Sequence, residues 1–226
     1  RGGLRGVYVS ERVMEQEPVL KDLGDGLIMR RGTAEDAEAL ADFNAVVNSL
    51  TGEPDEGMRA WTLDLMKGDL PDFGPDDFTI VIDTKTGSIV STQNLIPQTW
   101  SYGGIEFPAA RIELVGTDSD YRRRGLVRAQ TDIMHEWGAQ RGQKVIGITG
   151  IPWFYRQFGY EMALEHLGWR TGYAQNVPEL TAGETEPYRV RVATDADIPF
   201  LKQTSDHGNE RYLVSCVRDE ELWRYE

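Results

Sequence analysis

The sequence lacks several features that would assign it to a special class of protein. Its single cysteine, Cys216, excludes an internal disulfide framework, so we expect a reducing, cytoplasmic compartment. No apolar run approaches the roughly 20 residues that a membrane-spanning helix needs. Residues 1–10 contain no apolar stretch typical of a signal peptide. Because the chain starts with Arg1 and not with Met, we expect that residues precede it in the complete protein.

Basic residues are also scarce. The chain has 24 Lys and Arg against 37 Asp and Glu, which gives a net charge of −13. This balance argues against nucleic acid as a partner, because general binding needs a basic face. The negative charge favours a cationic acceptor such as an amine, which it would attract by long-range steering. Alternatively, the charge only keeps the protein in solution. The three histidines do not combine with cysteine or carboxylates at metal-ligand spacing, so no metal site is predicted.

The order of the predicted elements indicates an α/β fold with a mixed, largely antiparallel sheet and flanking helices. A helix is expected from Thr33, which has Asp36 in the capping-box position, to Leu50. Two others are expected over Pro54–Lys67 and Gly125–Arg141, and a short one over Trp153–Phe158. The predicted strands are Leu27–Arg31, Phe78–Ile82, Ser88–Leu95, Trp100–Tyr102, Ile105–Phe107, Ala110–Thr117, Val145–Ile148 and one or two within Met162–Tyr173.

The chain divides into four predicted regions. Residues 1–26 read as a loose N-terminal arm, 27–174 as a catalytic domain, and 175–187 as a polar linker with two prolines. After it, Tyr188-Arg-Val-Arg-Val-Ala-Thr-Asp-Ala-Asp-Ile is similar to Leu27-Ile-Met-Arg-Arg-Gly-Thr-Ala-Glu-Asp-Ala. Both read as a strand, a threonine and an acidic helix start, so residues 188–226 are predicted to begin a second, truncated copy of the fold.

One segment has the composition of a phosphate site. A strand ends at Thr117, and the sequence Arg-Arg-Arg-Gly-Leu-Val-Arg, which begins at Arg122, opens a helix. A helix N-terminus offers free N–H groups and a positive dipole end to a phosphate. Gly125 lets the backbone approach the anion, and the arginines add charge-assisted bonds. The alternative is an exposed basic helix start, for example one that binds RNA.

A second segment follows the strand that ends at Ile148. It reads Gly150-Ile-Pro-Trp-Phe-Tyr-Arg-Gln-Phe-Gly-Tyr160 and places Tyr155 on a short helix. Phe154 and Phe158 are four residues apart and are expected in the core. Tyr155 follows Phe154 directly, so its side chain points elsewhere.

Together the two segments resemble the GNAT superfamily of acyltransferases. The family pattern Gln/Arg-x-x-Gly-x-Gly/Ala is met by Arg122 and Gly125 but not by Val127. The arginine-rich variant is similar to the Eis-like acetyltransferases, multidomain enzymes that accept bulky polyamines and join two GNAT-like regions in tandem. The resemblance covers about Leu27–Tyr173.

The resemblance implies acetyl-CoA as co-substrate and a primary amine of a small molecule or peptide as acceptor, which attacks the thioester directly. The strand before the loop would splay from its neighbour and bind pantetheine, and the backbone N–H of Thr117 would polarise the thioester carbonyl. The motif of the second segment makes Tyr155 the general acid. The cofactor-binding residues implied are Val115, Thr117, Arg122, Arg123, Arg124, Gly125, Leu126 and Val127.

The general base is open at this point. Glu113 is a candidate, since it lies four residues before Thr117 and is expected on the same face of the strand; alternatively it pairs with an arginine such as Arg111. Eis-like enzymes are thought to use a terminal carboxylate instead. Structural roles are expected for His135 and His166.

Two other classes of function compete with the enzyme. A non-catalytic acyl-CoA-binding module, a sensor or structural subunit, would keep the loop but would need neither Tyr155 nor a base. An RNA-binding protein is disfavoured by the net charge of −13. The sequence leaves open whether the protein forms a homo-oligomer.

Overall fold

A seven-stranded, mostly antiparallel sheet organises the residues that the computed structural model describes, which are 19–165, 171–181 and 183–226. Strands β1 to β6 follow one another in chain order across the sheet, and β7 pairs with the second half of β4. The β5–β6 pair is parallel. The predicted α/β class with a mixed sheet is therefore confirmed. The strands are β1 Val19–Gly24, β2 Leu27–Arg31, β3 Phe78–Asp83, β4 Ser88–Tyr102, β5 Ile105–Thr117, β6 Val145–Gly147 and β7 Val214–Val217.

Helices cover both faces of the sheet. Successive β3 residues point to opposite faces, and Ile80 and Val81 belong to different core clusters. The first cluster contains residues of α1 and α2, and the other face is covered by α3. No helix in the described ranges is both long and apolar enough to cross a membrane. The helices are α1 Ala37–Val47, α2 Glu56–Met66, α3 Leu126–Gln140, α4 Pro152–Tyr155, α5 Ile198–Asn209 and α6 Glu220–Tyr225.

The longest elements are β4 and β5, which form one continuous hairpin of 15 and 13 residues. Its two-residue turn, Gly103-Gly104, has φ angles of 57° and 84°, which glycine adopts freely. The turn was predicted correctly. The sequence analysis predicted two short strands in place of β4 and two in place of β5, and that prediction is wrong. The strands continue past Pro97 and Pro108, each of which lacks only one backbone donor.

A buried ion pair fixes the start of α1. Arg30 and Asp36 are 1% and 0% exposed, and the guanidinium contacts both carboxylate oxygens at 2.7 and 2.8 Å. The same carboxylate accepts from the backbone N–H and the hydroxyl of Thr33 at 2.8 and 3.0 Å. The predicted capping box is present, and it also joins β2 to the helix that follows.

The second copy of this motif has the same contacts in a different setting. Arg191 contacts both oxygens of Asp197, which also accepts from the backbone N–H and the hydroxyl of Thr194. The predicted helix follows as α5, but the predicted strand is wrong, because residues 188–192 are exposed and pair with no strand in the described part of the chain. The local repeat is therefore real, whereas a second domain stays a prediction.

The last residues pack on the first unit. Strand β7 pairs with β4, for example Cys216 with Trp100. In α6, Leu222 packs against the core, and the hydroxyl of Tyr225 donates to Asp64 of α2 at 2.6 Å. Residues 214–226 thus extend the sheet and the core of the region before the linker.

Several predicted boundaries need correction. Residues 19–24 of the predicted arm form β1, and residues 1–18 lie outside the described residues. Leu50 is fully exposed beyond the end of α1. Strand β6 ends at Gly147, one residue before the predicted end, and Val145 in it is 42% exposed. Residues 162–165 and 171–173 do not form the predicted strands.

The two ion pairs provide a matched test of burial. Replacing Asp36 by Ala leaves Arg30 charged and buried without its partner, so the free energy of unfolding should fall by about 3–5 kcal/mol. Replacing Asp197 by Ala breaks the same contacts at the surface and should change stability little. Urea unfolding of both variants measures this, and equal losses would show that burial does not set the strength of the pair.

Candidate active site

The candidate site begins where β5 separates from β6. The parallel register runs from Ala109–Val145 to Arg111–Gly147 and then ends, although β5 continues to Thr117. On that side, residues 114–117 have no strand partner in the described ranges. The backbone groups of this stretch that point to that side therefore face a gap in the ladder. The splayed strand that the family resemblance implies is present in the structure.

A β-bulge interrupts β5 inside this unpaired stretch. Asn94 faces Glu113 and Thr92 faces Gly116, so β5 has one more residue than β4 over the same interval. Leu114 takes up the extra length with a φ of 51°. The additional residue reverses the alternation, because residues on either side of a bulge change face. Glu113 and Thr117 therefore lie on opposite faces, and the expectation that they share one is wrong.

The predicted phosphate loop lies at the end of the same strand. Gly125, with a φ of 77°, precedes the first residue of α3, and no side chain caps the helix N-terminus. The loop arginines and Gly125 are exposed. Arg122 Nε donates to the carbonyl of Thr117 at 3.4 Å, which holds the loop beside the strand end. This arrangement suits a phosphate, since free N–H groups and positive charge meet at one exposed point.

The arginines of the loop differ in what they contact. Arg124 lies over the ring of Tyr121 at 4.8 Å and donates to the carbonyl of Asp120 at 3.1 Å. Arg123 has a φ of 64° and is exposed, as expected for a residue that faces solvent. Arg128 is the last arginine of the motif that begins at Arg122. It donates to the carbonyl and side chain of Gln157 at 3.2 and 3.0 Å, so it joins α3 to the segment after α4.

Tyr155 lies at the other side of the gap. It is the last residue of α4, which starts at Pro152, and its ring is half-buried. Gly150 allows this position, because a Cβ there would overlap the tyrosine ring. Burial raises the pKa of Tyr155, and the nearby negative charge of Glu113 raises it further. The hydroxyl therefore keeps its proton at neutral pH and can donate it.

Glu113 is close enough to Tyr155 for its negative charge to act on the hydroxyl. The carboxylate of Glu113 also lies 3.0 Å from Arg111 Nε, and its side chain is 19% exposed. The alternative partner considered for Glu113 is thus present.

A cleft of about 760 Å³ surrounds Tyr155. Its lining includes Trp100, Arg111 and the residues of β7 around Cys216, which come from three different strands. Tyr160 also lines it, and its hydroxyl lies 3.0 Å from His135 Nε2. The sequence placed His135 in a structural role and did not single out Tyr160, since no local pattern links two residues 25 positions apart. His166 lies outside the described residues.

The ranges 19–165, 171–181 and 183–226 contain no group of three or more His, Cys, Asp or Glu side chains that could hold a metal ion. The candidate site consists of backbone groups, arginines, Tyr155 and Glu113.

Comparison with known proteins identifies the family. The model of the acetyltransferase (GNAT) domain matches residues 29–163, which is more than half of the chain. The chain therefore belongs to the GNAT acetyltransferase family. The matched region includes β2 to β6, the arginine loop and Tyr155. No curated protein sequence matches the chain.

Several solved structures are similar to this chain. Glucosamine-6-phosphate N-acetyltransferase from Arabidopsis thaliana is 16% identical and covers 65% of this chain and 98% of its own, with a TM-score of 0.46. A Trypanosoma brucei acetyltransferase is 20% identical and covers 64% and 99%, with a TM-score of 0.48. Saccharomyces cerevisiae N-myristoyltransferase with bound myristoyl-CoA is 14% identical and has a TM-score of 0.62. That likeness covers 93% of this chain, which spans about half (51%) of the yeast protein.

The loop geometry leads to a binding prediction. Replacing Gly125 by Val should weaken acyl-CoA binding by about tenfold or more, because a β-branched residue does not tolerate a φ of 77° and would displace the N–H groups that follow. Replacing Arg123 by Ala should have a smaller effect. Titration calorimetry with both variants measures this, and equal losses would argue against a cradle of backbone amides.

Proposed function

We propose that this protein is an N-acetyltransferase that moves an acetyl group from acetyl-CoA to a primary amine of a small molecule or peptide by direct attack. The observation that carries the proposal is the convergence of three features within one region. These are the unpaired edge of β5, the uncapped start of α3 and the half-buried hydroxyl of Tyr155. Membership of the GNAT family supports acyl-CoA as the donor.

The cofactor would extend along the gap between β5 and β6. Its pyrophosphate would bind the N–H groups after Gly125 and the side chain of Arg122, with contributions from Arg123 and Arg124 and the backbone of Leu126 and Val127. The pantetheine arm, which carries amide groups, would hydrogen-bond to the free edge of β5 at Val115 and Thr117. An amide chain in this gap would add to the sheet as a further strand does.

In the proposed reaction each residue of the site has one role. The amine nitrogen would form a bond to the thioester carbon while the carbon–sulfur bond breaks, and the Thr117 N–H would stabilise charge on the carbonyl oxygen. Tyr155 would donate its proton to the departing thiolate. Glu113 would accept the proton that the amine loses, and the bulge would place it on the α1–α2 face of the sheet. The acceptor would therefore approach from that face.

The finer properties of the enzyme stay proposals. The excess of negative charge supports a cationic acceptor. Acetyl is the proposed acyl group, although the yeast N-myristoyltransferase that resembles the fold binds a longer one. A cytoplasmic location rests on the single cysteine. An Eis-like tandem arrangement is supported by the repeated motif at Arg191 and Asp197.

The donor can be tested before an acceptor is known. Millimolar acetyl-CoA should raise the melting temperature, because it binds the folded state alone. Calorimetry should give one site per chain, and a panel of amines and peptides should then show release of free thiol. Absence of heat and of a thermal shift would refute the proposed function. Binding without transfer to any amine would favour the non-catalytic acyl-CoA-binding module.

Replacing Tyr155 by Phe tests the general acid. The variant should bind acetyl-CoA with nearly unchanged affinity, because the hydroxyl acts in the transition state. Its kcat should fall by about 10²-fold or more, as expected for a lost general acid. The ring packing is retained, so the melting temperature should hardly change. A kcat equal to that of the wild type would show that another group protonates the thiolate.

A further inference from the structure

A polar layer is buried between the sheet and α3, where apolar contacts would be expected. Five of its side chains are between 0% and 2% exposed. Glutamine is rarely buried this completely, and the mechanism above uses none of these five residues. They are Thr79, Ser91, Gln93, Gln130 and Thr131.

Gln130 is the centre of this layer. It lies in the second turn of α3, five residues after Gly125. Its side-chain oxygen is 2.7 Å from Ser91 Oγ, and its side-chain nitrogen is 3.1 Å from both the carbonyl and the hydroxyl of Thr79. One side chain of the phosphate-binding helix is therefore hydrogen-bonded to both β3 and β4.

Ser91 continues the connection to the splayed strand. Its Oγ is also 2.8 Å from the carbonyl of Gly116 and 2.9 Å from Thr117 Oγ1. Gly116 and Thr117 end the unpaired edge of β5, immediately after the bulge. A chain of two buried residues, Gln130 and Ser91, thus joins the start of α3 to the strand edge that faces the gap.

A second branch of the layer does not reach β5. Thr131 Oγ1 donates to the carbonyl of Val127 at 2.8 Å, and Gln93 Nε2 donates to Thr131 Oγ1 at 3.3 Å. Thr131 is as buried as Gln130 and adjacent to it in the same helix. It therefore provides a matched control for the loss of a buried polar contact in α3.

Hydrogen bonds restrict relative position more than apolar packing does. An apolar side chain in place of Gln130 would bury as much area but would let α3 shift along the sheet, since dispersion contacts have no preferred direction. The buried amide keeps its bonds in one arrangement of helix and strand, because a broken bond there leaves an unsatisfied polar group. The layer consequently fixes the distance between the end of β5 and the start of α3.

We propose that Gln130, through Ser91, is a positioning residue for acyl-CoA. It sets the spacing between the phosphate-binding start of α3 and the thioester-binding end of β5. The inference rests on the proposed function and adds to it a residue that touches neither substrate. A ligand that reaches both subsites at once needs this spacing, whereas a ligand that occupies only the loop does not.

The test compares two ligands on one variant. Gln130→Met keeps the length and volume of the side chain and removes its hydrogen bonds. Adenosine 3′,5′-bisphosphate serves as the ligand that reaches the loop alone, and acetyl-CoA as the ligand that spans both subsites. The affinity for acetyl-CoA should fall by about 10- to 100-fold, while the affinity for the nucleotide should stay within about twofold of the wild type. Thr131→Val should lower the melting temperature comparably without changing the ratio of the two affinities.

Each outcome has a definite meaning. An unchanged ratio in Gln130→Met would overturn the inference, as would an equal change of the ratio in Thr131→Val. If Gln130→Met does not fold, Ser91→Ala removes the middle of the same connection and should change the ratio in the same direction; an unchanged ratio there would also overturn the inference. A wild-type chain that binds no acetyl-CoA would refute the proposed function itself.

Discussion

The end of the β5–β6 ladder at Arg111 and Gly147 is the constraint on which the candidate site depends. Two strands that run parallel from a common position and then separate leave one edge of β5 without a partner. Such an edge is normally a liability, because free N–H and C=O groups can pair with other chains. Here the bulge at Leu114 bends the strand at this point. The backbone arrangement alone therefore leaves hydrogen-bonding groups outside the ladder along one edge of β5 after Glu113.

Charge is distributed unevenly around that edge. The chain is strongly acidic, yet the loop after β5 contains three consecutive arginines and opens at a helix N-terminus. At the other end, burial raises the pKa of the Tyr155 hydroxyl, and the negative charge of Glu113 raises it further. A tyrosine in this state does not lose its proton to water at neutral pH. The two ends thus favour an anionic group at the loop and a protonated hydroxyl at the tyrosine.

The sequence predicted those parts of the fold that depend on local interactions. The capping box at Thr33, the two-residue turn at Gly103-Gly104 and the start of α3 after Gly125 each depend on a few neighbouring residues, and all three are present. Sequence reasoning missed features that depend on pairing between distant segments. The bulge in β5 exists only relative to the register of β4, so the face of Glu113 could not be derived from its spacing to Thr117.

The same distinction between local and long-range interactions applies to the candidate site. The loop and Tyr155 were found because family motifs are local, whereas the contact between His135 and Tyr160 and the layer around Gln130 join residues far apart in the chain. The two copies of the capping motif, at Arg30 and Arg191, show most directly what local sequence alone does not determine. The residues of the two motifs make the same hydrogen bonds. The Arg30–Asp36 pair is buried, with Arg30 in β2, whereas the Arg191–Asp197 pair is exposed, and Arg191 belongs to no strand in the described part of the chain. Local sequence determines the capping geometry in both copies, and only the neighbouring strands β1 and β3 turn the first copy into part of a core.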